Sequence, residues 1–282
     1  YGADINLSGL LYGKVLRSPH AHARIKSIDT SKAEAHPDVL AVVTAKDLPT
    51  LESDEILNTA GGSLKYLQDN VLASDKVLYK GHPVAAVVAD NPHVAEEART
   101  LIDVEYEILT PVSTALDALK ADAPLLLDTM KTQGLGKDSK SSSNVADHFQ
   151  HKLGDVEKAF AEADVVVERE FHTQTVHQGY IEPHNATVLW NKNGRITVWC
   201  STQGPFEVRD DTAAVLGLDV SAVKLIPMEI GGGFGGKFEP YGEPVAALLS
   251  RKTGRPVKIV MTRTEEFEST GPTPGSYIKI KM

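Results

Sequence analysis

The chain has 282 residues, of which 41% are hydrophobic and 24% charged; this excludes a disordered or fibrous protein and leaves room for about two domains. Acidic residues (38) outnumber basic ones (29) for a formal charge of −9, which argues against binding a nucleic-acid backbone. No apolar run reaches the roughly 20 residues of a membrane-spanning helix, and the single cysteine, Cys200, excludes an internal disulfide, a four-cysteine zinc site and an iron–sulfur cluster.

Patterning gives the elements in chain order. Leu10–Leu16 and Ala23–Ile28 read as strands around a polar turn, and Ser31–Ala35 as a short helix with Ser31 as its expected cap. Val39–Thr44 and Val84–Ala89 are compact apolar runs, expected as buried strands. A helix starts at Pro92, where the missing amide donor costs nothing, and aligns Val94, Ala95, Ala98, Leu101 and Ile102 on one face. Val104–Leu109 alternates as a strand. The polar stretch 131–147, with Gly134, Gly136 and Ser141-Ser142-Ser143, is read as a linker, a long surface loop being the alternative.

The second half opens with Gly154-Asp155 before a helix over Val156–Ala163, then a strand over Val165–Phe171. Ala186–Trp190 and Ile196–Cys200 flank the turn Asn191-Lys192-Asn193-Gly194 and read as a hairpin. A helix over Glu207–Leu216 ends at Gly217, a strand runs over Val223–Ile230, a helix from Pro244 to Lys252 closes at Gly254, and Val257–Met261 is a further strand. The fold class expected is α+β. The chain begins at Tyr1 and stops at Met282 inside an alternating stretch, so it is expected to be a piece of a longer polypeptide.

Between the strand at 223–230 and the helix at 244 lies Gly231-Gly232-Gly233-Phe234-Gly235-Gly236-Lys237. Such a run costs backbone entropy, and it suits main chain that takes positive φ or lies against a ligand. Its free amides could form a cradle for oxygens or anions; a tight turn without ligand is the alternative. The run fits G-x-G-x-x-G through Gly231, Gly233 and Gly236. Yet Glu239-Pro240 and Glu243-Pro244 interrupt the immediate helix start of a dinucleotide site, and the next strand ends in Thr262-Arg263 rather than an acid. An NADP reading through Arg263 stays open. The phosphate-loop pattern fails because position 238 is Phe, not Ser or Thr.

Six segments together resemble one family, the molybdenum hydroxylases, which comprises xanthine dehydrogenases, aldehyde oxidoreductases and carbon monoxide dehydrogenases. They are Leu16-Arg17-Ser18-Pro19-His20-Ala21-His22-Ala23, Gly81-His82-Pro83-Val84-Ala85, Glu182-Pro183, Ser201-Thr202-Gln203-Gly204-Pro205, the run 231–237, and Thr253-Gly254-Arg255-Pro256-Val257 with Thr262-Arg263. The resemblance implies an α/β hammerhead domain over 1–130, a linker over 131–150, and over 151–282 the first part of a mixed α/β molybdopterin-binding domain. It also implies that Gln203 hydrogen-bonds a metal–pterin centre, with Gly232, Gly233, Phe234 and Gly235 lying against it. Molybdenum would then be held through the pterin near Gln203 and Phe234 with no direct protein ligand.

The implied reaction is oxidative hydroxylation with water as the oxygen source. The implied cofactor is molybdopterin, plain or as its cytosine dinucleotide, with iron–sulfur clusters and FAD on partner subunits of a hetero-oligomer. The general-base glutamate is expected after Met282, as is the copper-binding cysteine loop of the carbon monoxide dehydrogenases, so no catalytic residue is assigned within the chain. Purine-oxidising members carry a substrate-binding glutamate directly after the loop lysine. Phe238 stands there and Glu239 follows; both are substrate-pocket candidates, and the departure favours an aldehyde, an N-heteroaromatic compound or another small substrate. An NADP-dependent dehydrogenase and a non-catalytic assembly domain are the competing readings.

Other polar residues carry blander expectations. His20 and His22 are expected to shape a surface rather than bind metal. His177, Glu182 and His184 are expected to be loop groups paired with main chain. Cys200 is expected as a buried small hydrophobe, Arg209 as a solvated helix residue, and Glu265, Glu266 and Glu268 as a surface run. The lone thiol fits a reducing compartment, hence a cytoplasmic location.

Overall fold

A computed structural model describes residues 1–51, 63–134, 141–271 and 273–282. The chain divides into two compact units, one of Tyr1–Leu109 with Gln178–Gly271 and one of Thr110–His177 with Pro272–Met282. The architecture is mixed α/β.

The first unit is organised by a seven-stranded mixed sheet in the order Val223–Pro227, Ile196–Cys200, Asn185–Trp190, Val257–Val260, Leu11–Arg17, Pro83–Ala89, Val39–Thr44. The hairpin expected around Asn191–Gly194 is present, with Val188 opposite Val198. Leu11–Arg17 runs parallel to Val257–Val260, Leu11 opposite Val257, so strands from both ends of the sequence are direct neighbours in one sheet. Pro83–Ala89 is buried along its whole length, which is why it reads as an uninterrupted apolar run rather than an alternating one. Helices Pro205–Val215 and Glu243–Thr253 supply Val208, Ala213, Val245, Leu248 and Leu249 to the same core. Each such aliphatic side chain, fully buried, is worth roughly 1.5–3 kcal/mol. Gly254 closes the second helix in the left-handed conformation at φ 66°, as expected. A smaller sheet, Lys76–Val77, Ala23–Asp29 and Asp103–Ile108, and the helix Pro92–Arg99 complete the unit; Asn91 caps that helix by accepting from the amides of His93 and Val94.

Some expectations are corrected. Ser31 does not cap the helix Ser31–Glu34; its amide is instead held by Asp29 Oδ1 at 2.9 Å. The strand Val223–Pro227 stops before Ile230, because the chain must turn out of the sheet to form the glycine loop. The helices Leu64–Val71 and Arg263–Ser269 were not expected. The latter overturns the reading of Glu265, Glu266 and Glu268 as a surface run: Glu266 is fully buried, Glu265 accepts from Arg17 Nε at 3.1 Å, and Glu268 pairs with Lys80.

In the second unit, Glu168–Thr173 pairs antiparallel with Ser276–Lys281. The helix Val156–Glu162 is capped by Asp155, which accepts from the Lys158 amide. Within the expected linker, Gln133–Gly134 pairs with Asp147–His148 and Lys131 bridges Ser142; Gly136, Lys137, Asp138 and Lys140 lie outside the described residues.

Candidate functional site

The glycine run leaves the sheet after Pro227 and returns at the helix Glu243–Thr253. Gly232 and Gly235 take φ of 93° and 91°, and Phe234 adopts φ 48°, a conformation that costs an L-residue roughly 1–2 kcal/mol. Close approach excludes side chains elsewhere in the run. A Cβ on Gly233 would stand 2.5 Å from Gln203 Oε1, one on Gly231 2.5 Å from Glu182 Cβ, and one on Gly236 2.9 Å from the Tyr180 ring. The glycines are therefore required by packing as well as by dihedral.

Four amides of the run are spent internally. Gly231 N donates to Glu182 Oε2 (2.7 Å), Gly236 N to Gly233 O (2.8 Å), and Gly235 N and Lys237 N both to Gln203 Oε1 (2.9 and 3.3 Å). The amides of Gly232, Gly233 and Phe234 meet no acceptor among the described residues. Three consecutive main-chain donors are thus left unspent, the inventory that an anion nest requires.

Gln203 forms the other side. It follows the strand Ile196–Cys200 in a segment held by Gln203 N and Thr202 Oγ1, which both donate to Lys237 O (2.8 and 3.0 Å). Because its Oε1 accepts two main-chain N–H groups, the orientation of the carboxamide is fixed: oxygen toward the loop, Nε2 outward as a free donor. Phe234 is exposed to 73% and Phe238 to 43%, and a Cβ on Gly204 would meet the Phe238 ring at 2.8 Å. Glu239 is also exposed. The five residues expected to hold the cofactor, Gln203, Gly232, Gly233, Phe234 and Gly235, are brought together, with Phe238 beside Gly204.

A buried polar layer lies behind the loop. Lys237, with no solvent exposure of its side chain, donates from Nζ to Glu182 O (2.9 Å) and Glu182 Oε2 (3.0 Å) and sits 4.8 Å from the centre of the Tyr180 ring. Glu182 Oε1 accepts from Ser201 Oγ (2.6 Å) and Asn185 Nδ2 (3.2 Å). Desolvation pushes the Glu182 carboxyl up, but the bonds from Ser201, the Gly231 amide and Lys237 outweigh it and hold the group below the usual carboxylate range. His184 donates its backbone N to Glu266 Oε2 (2.7 Å) and its Nδ1 contacts Glu266 Oε1 (2.6 Å). Glu266 too is pushed up by desolvation and pulled down further by His184 and Tyr180, to about 2.

Sequence reasoning anticipated Glu182 and His184 as loop groups but not that they form this layer. The signal for the helix carrying Glu266 was available: Thr262-x-x-Glu265 is a capping box, and both of its reciprocal bonds are present. Arg263, the candidate NADP contact, is spent instead on the carbonyls of Tyr180 (2.8 Å) and Ile181 (2.5 Å). The next helix starts at Glu243, well beyond Gly236, so the loop lacks the helix N-terminus that a pyrophosphate site uses.

The remaining named residues are structural. His82 accepts the Leu78 amide at Nδ1 (3.1 Å), so its Nε2–H donates to Asp69 O (2.7 Å); burial pushes its pKa down to about 4. His20 meets Tyr106 edge-on at 5.0 Å, His22 is buried, and Arg209 pairs with Asp210 over the Phe206 ring. Cys200 is buried and free, its thiol pushed up by burial. His177 lies in the second unit. Among the described residues, no group of three or more His, Cys, Asp or Glu could hold a metal ion, and no helix is long and apolar enough to cross a membrane.

Residues 137–282 match the molybdopterin cofactor-binding domain, and residues 1–110 the aldehyde oxidase and xanthine dehydrogenase a/b hammerhead domain. The carbon monoxide dehydrogenase large chain of Afipia carboxidovorans is 38% identical over 277 residues, 96% of this chain and 33% of that one. The nicotinate dehydrogenase large molybdopterin subunit of Eubacterium barkeri is 34% identical over 265 residues, 94% of this chain and 57% of that one. Among solved structures, quinoline 2-oxidoreductase from Pseudomonas putida 86 superposes with a TM-score of 0.77 at 29% identity, covering all of this chain and 34% of that one. The chain spans 33% and 57% of the length of these two curated relatives.

Proposed function

Since the chain belongs to the aldehyde oxidase and xanthine dehydrogenase family of molybdopterin-dependent oxidoreductases, we propose that it is part of the catalytic large subunit of a molybdenum hydroxylase. The observation that carries this reading is the set of unspent donors: the amides of Gly232, Gly233 and Phe234, with Gln203, whose Oε1 is held by the same loop and whose Nε2 is free. A pterin dithiolene with its phosphate presents oxygens and ring acceptors, and neutral donors hold these without adding a competing nucleophile. The residues present fit the group. Gly232, Gly233, Phe234 and Gly235 would supply main chain to hold it, Gln203 would donate one hydrogen bond, and the exposed Phe234 ring would give an apolar wall. When bound, molybdopterin supplies the two-electron redox chemistry that inserts a water-derived oxygen into the substrate.

The substrate class proposed is an aldehyde, an N-heteroaromatic compound or another small molecule. Phe238 puts an apolar ring where a purine-oxidising member would have a carboxylate, while Glu239 is one position removed. No residue of this chain is assigned as general base. Iron–sulfur and flavin subunits complete the proposed hetero-oligomer, the pterin being plain or the cytosine dinucleotide. Hammerhead and cofactor-binding modules, 1–130 and 151–282, are proposed to be sequence modules that share one sheet, with 131–150 joining them. A cytoplasmic location is proposed from the lone reduced thiol.

The test is cofactor analysis of the intact purified complex that contains this chain, with a substrate panel. Molybdenum and pterin near one per chain are expected, with an aromatic aldehyde or quinoline-type heterocycle oxidised in preference to xanthine. Xanthine as the best substrate would overturn the substrate reading; absence of molybdenum would overturn the function. Retention of full cofactor content and turnover in Gln203→Ala would favour an assembly role.

A further inference from the structure

Lysine after a glycine-rich loop is commonly an anion ligand, but Lys237 cannot serve as one. Its ammonium is fully buried and committed to Glu182 and the Tyr180 ring. Burying a charge is costly and is tolerated only with a partner and further hydrogen bonds. Glu182 supplies both, and its own bonds reach three separate segments. One oxygen, Oε2, takes Gly231 N at the start of the loop and Lys237 Nζ at its end. The other, Oε1, takes Ser201 Oγ on the segment that carries Gln203. A single carboxylate therefore ties both ends of the cradle to the strand end bearing its opposite wall.

We infer that Glu182, acting through the buried Lys237, is a positioning residue that sets the spacing between the amides at 232–234 and the Gln203 carboxamide, and so controls how tightly the site retains an anionic pterin. This rests on the function proposed above. Glu182 accepts from none of the three unspent amides; it holds Gly231, Lys237 and Ser201, which flank them. With the carboxylate replaced by carboxamide, two donors, Gly231 N–H and the ammonium, compete for an acceptor no longer charged. Loop and Gln203 segment then move independently.

Two variants of the purified protein test this, with Gln68→Ala as a control. Gln68 is buried and donates to Val215 O at 2.9 Å, so losing it costs stability without touching the loop. Glu182→Gln is expected to lower molybdenum and pterin content at least tenfold, and to speed hydrogen exchange of the Gly231 amide at least tenfold in protein freed of cofactor. Glu182→Asp keeps the charge for Lys237 and so protects the fold, but is one methylene too short to hold both ends. It is expected to speed exchange about threefold or more and to lower content in proportion. Gln68→Ala is expected to lower the melting temperature with content and loop exchange unchanged. Wild-type content and exchange in Glu182→Asp would overturn the inference while leaving the function standing, as would content that follows melting temperature across all three variants. Wild-type protein devoid of molybdenum would overturn both.

Discussion

At the scale of single residues, the site is built by what is missing as much as by what is present. Gly233 has no room for a methyl group, and Phe234 holds a left-handed conformation although it has a side chain. Backbone strain of this kind persists where the surroundings fix it, and it clusters at functional sites. Phe234→Gly should therefore leave thermal stability unchanged or raise it by up to about 1 kcal/mol, while turnover falls because the exposed ring is gone. A clear drop in melting temperature would mean that the ring stabilises the loop. The glycine run was legible from sequence because glycine density is a local signal, whereas Gln203 was read only through the family resemblance of Ser201-Thr202-Gln203-Gly204-Pro205. The partners of Lys237 were not legible, because Glu182 lies far away in sequence and pairing of that range is decided by the fold.

The elements tell a similar story. Strands and most helices follow from period and punctuation: the buried run Val84–Ala89 and the helix start at Pro92 are direct readings. Leu64–Val71 was missed although Leu64, Gln68 and Val71 lie on one buried face, since a polar glutamine interrupts the apolar stripe. Arg263–Ser269 was missed because four of its seven residues are charged; its buried face is made by a glutamate whose partner, His184, sits in another segment. That helix is seated on Gly81, which takes φ 92° and whose Cβ would stand 2.7 Å from Glu268 O. Gly81→Ala should cost about 2 kcal/mol or more and lower the melting temperature by roughly 5 °C or more; calorimetry would show it. The pH dependence has a definite sign. Glu266 is held near 2 in the folded chain against roughly 4.3 unfolded, so its contribution is complete above about pH 4.3 and fades as pH falls toward 2. Denaturation midpoints of wild type and Glu266→Gln should converge over that interval; a constant gap would contradict the pairing with His184.

For the whole molecule, the sequence modules and the sheet do not coincide. Leu11–Arg17 from one module lies against Val257–Val260 from the other, so each module expressed alone would present an unpaired apolar edge. Residues 1–130 and 151–282 made separately should be poorly soluble, and co-expression should recover soluble material; two well-behaved separate domains would show that the shared sheet is dispensable. The pairing of Leu11–Arg17 with Val257–Val260 was not legible in the sequence, because register between distant strands leaves no local pattern. It is the parallel pairing of Ile196–Cys200 with Val223–Pro227, Cys200 opposite Pro227, that brings the strand end before Gln203 beside the glycine loop. The most direct measurement is molybdenum and pterin per chain in purified wild type and Gly233→Ala, whose added methyl group would push on Gln203 Oε1. The expected result is near-stoichiometric cofactor in wild type and at least a tenfold loss in the variant, with unchanged circular dichroism. Equal cofactor in both, or none in wild type, would contradict a pterin held between the open amides and the glutamine.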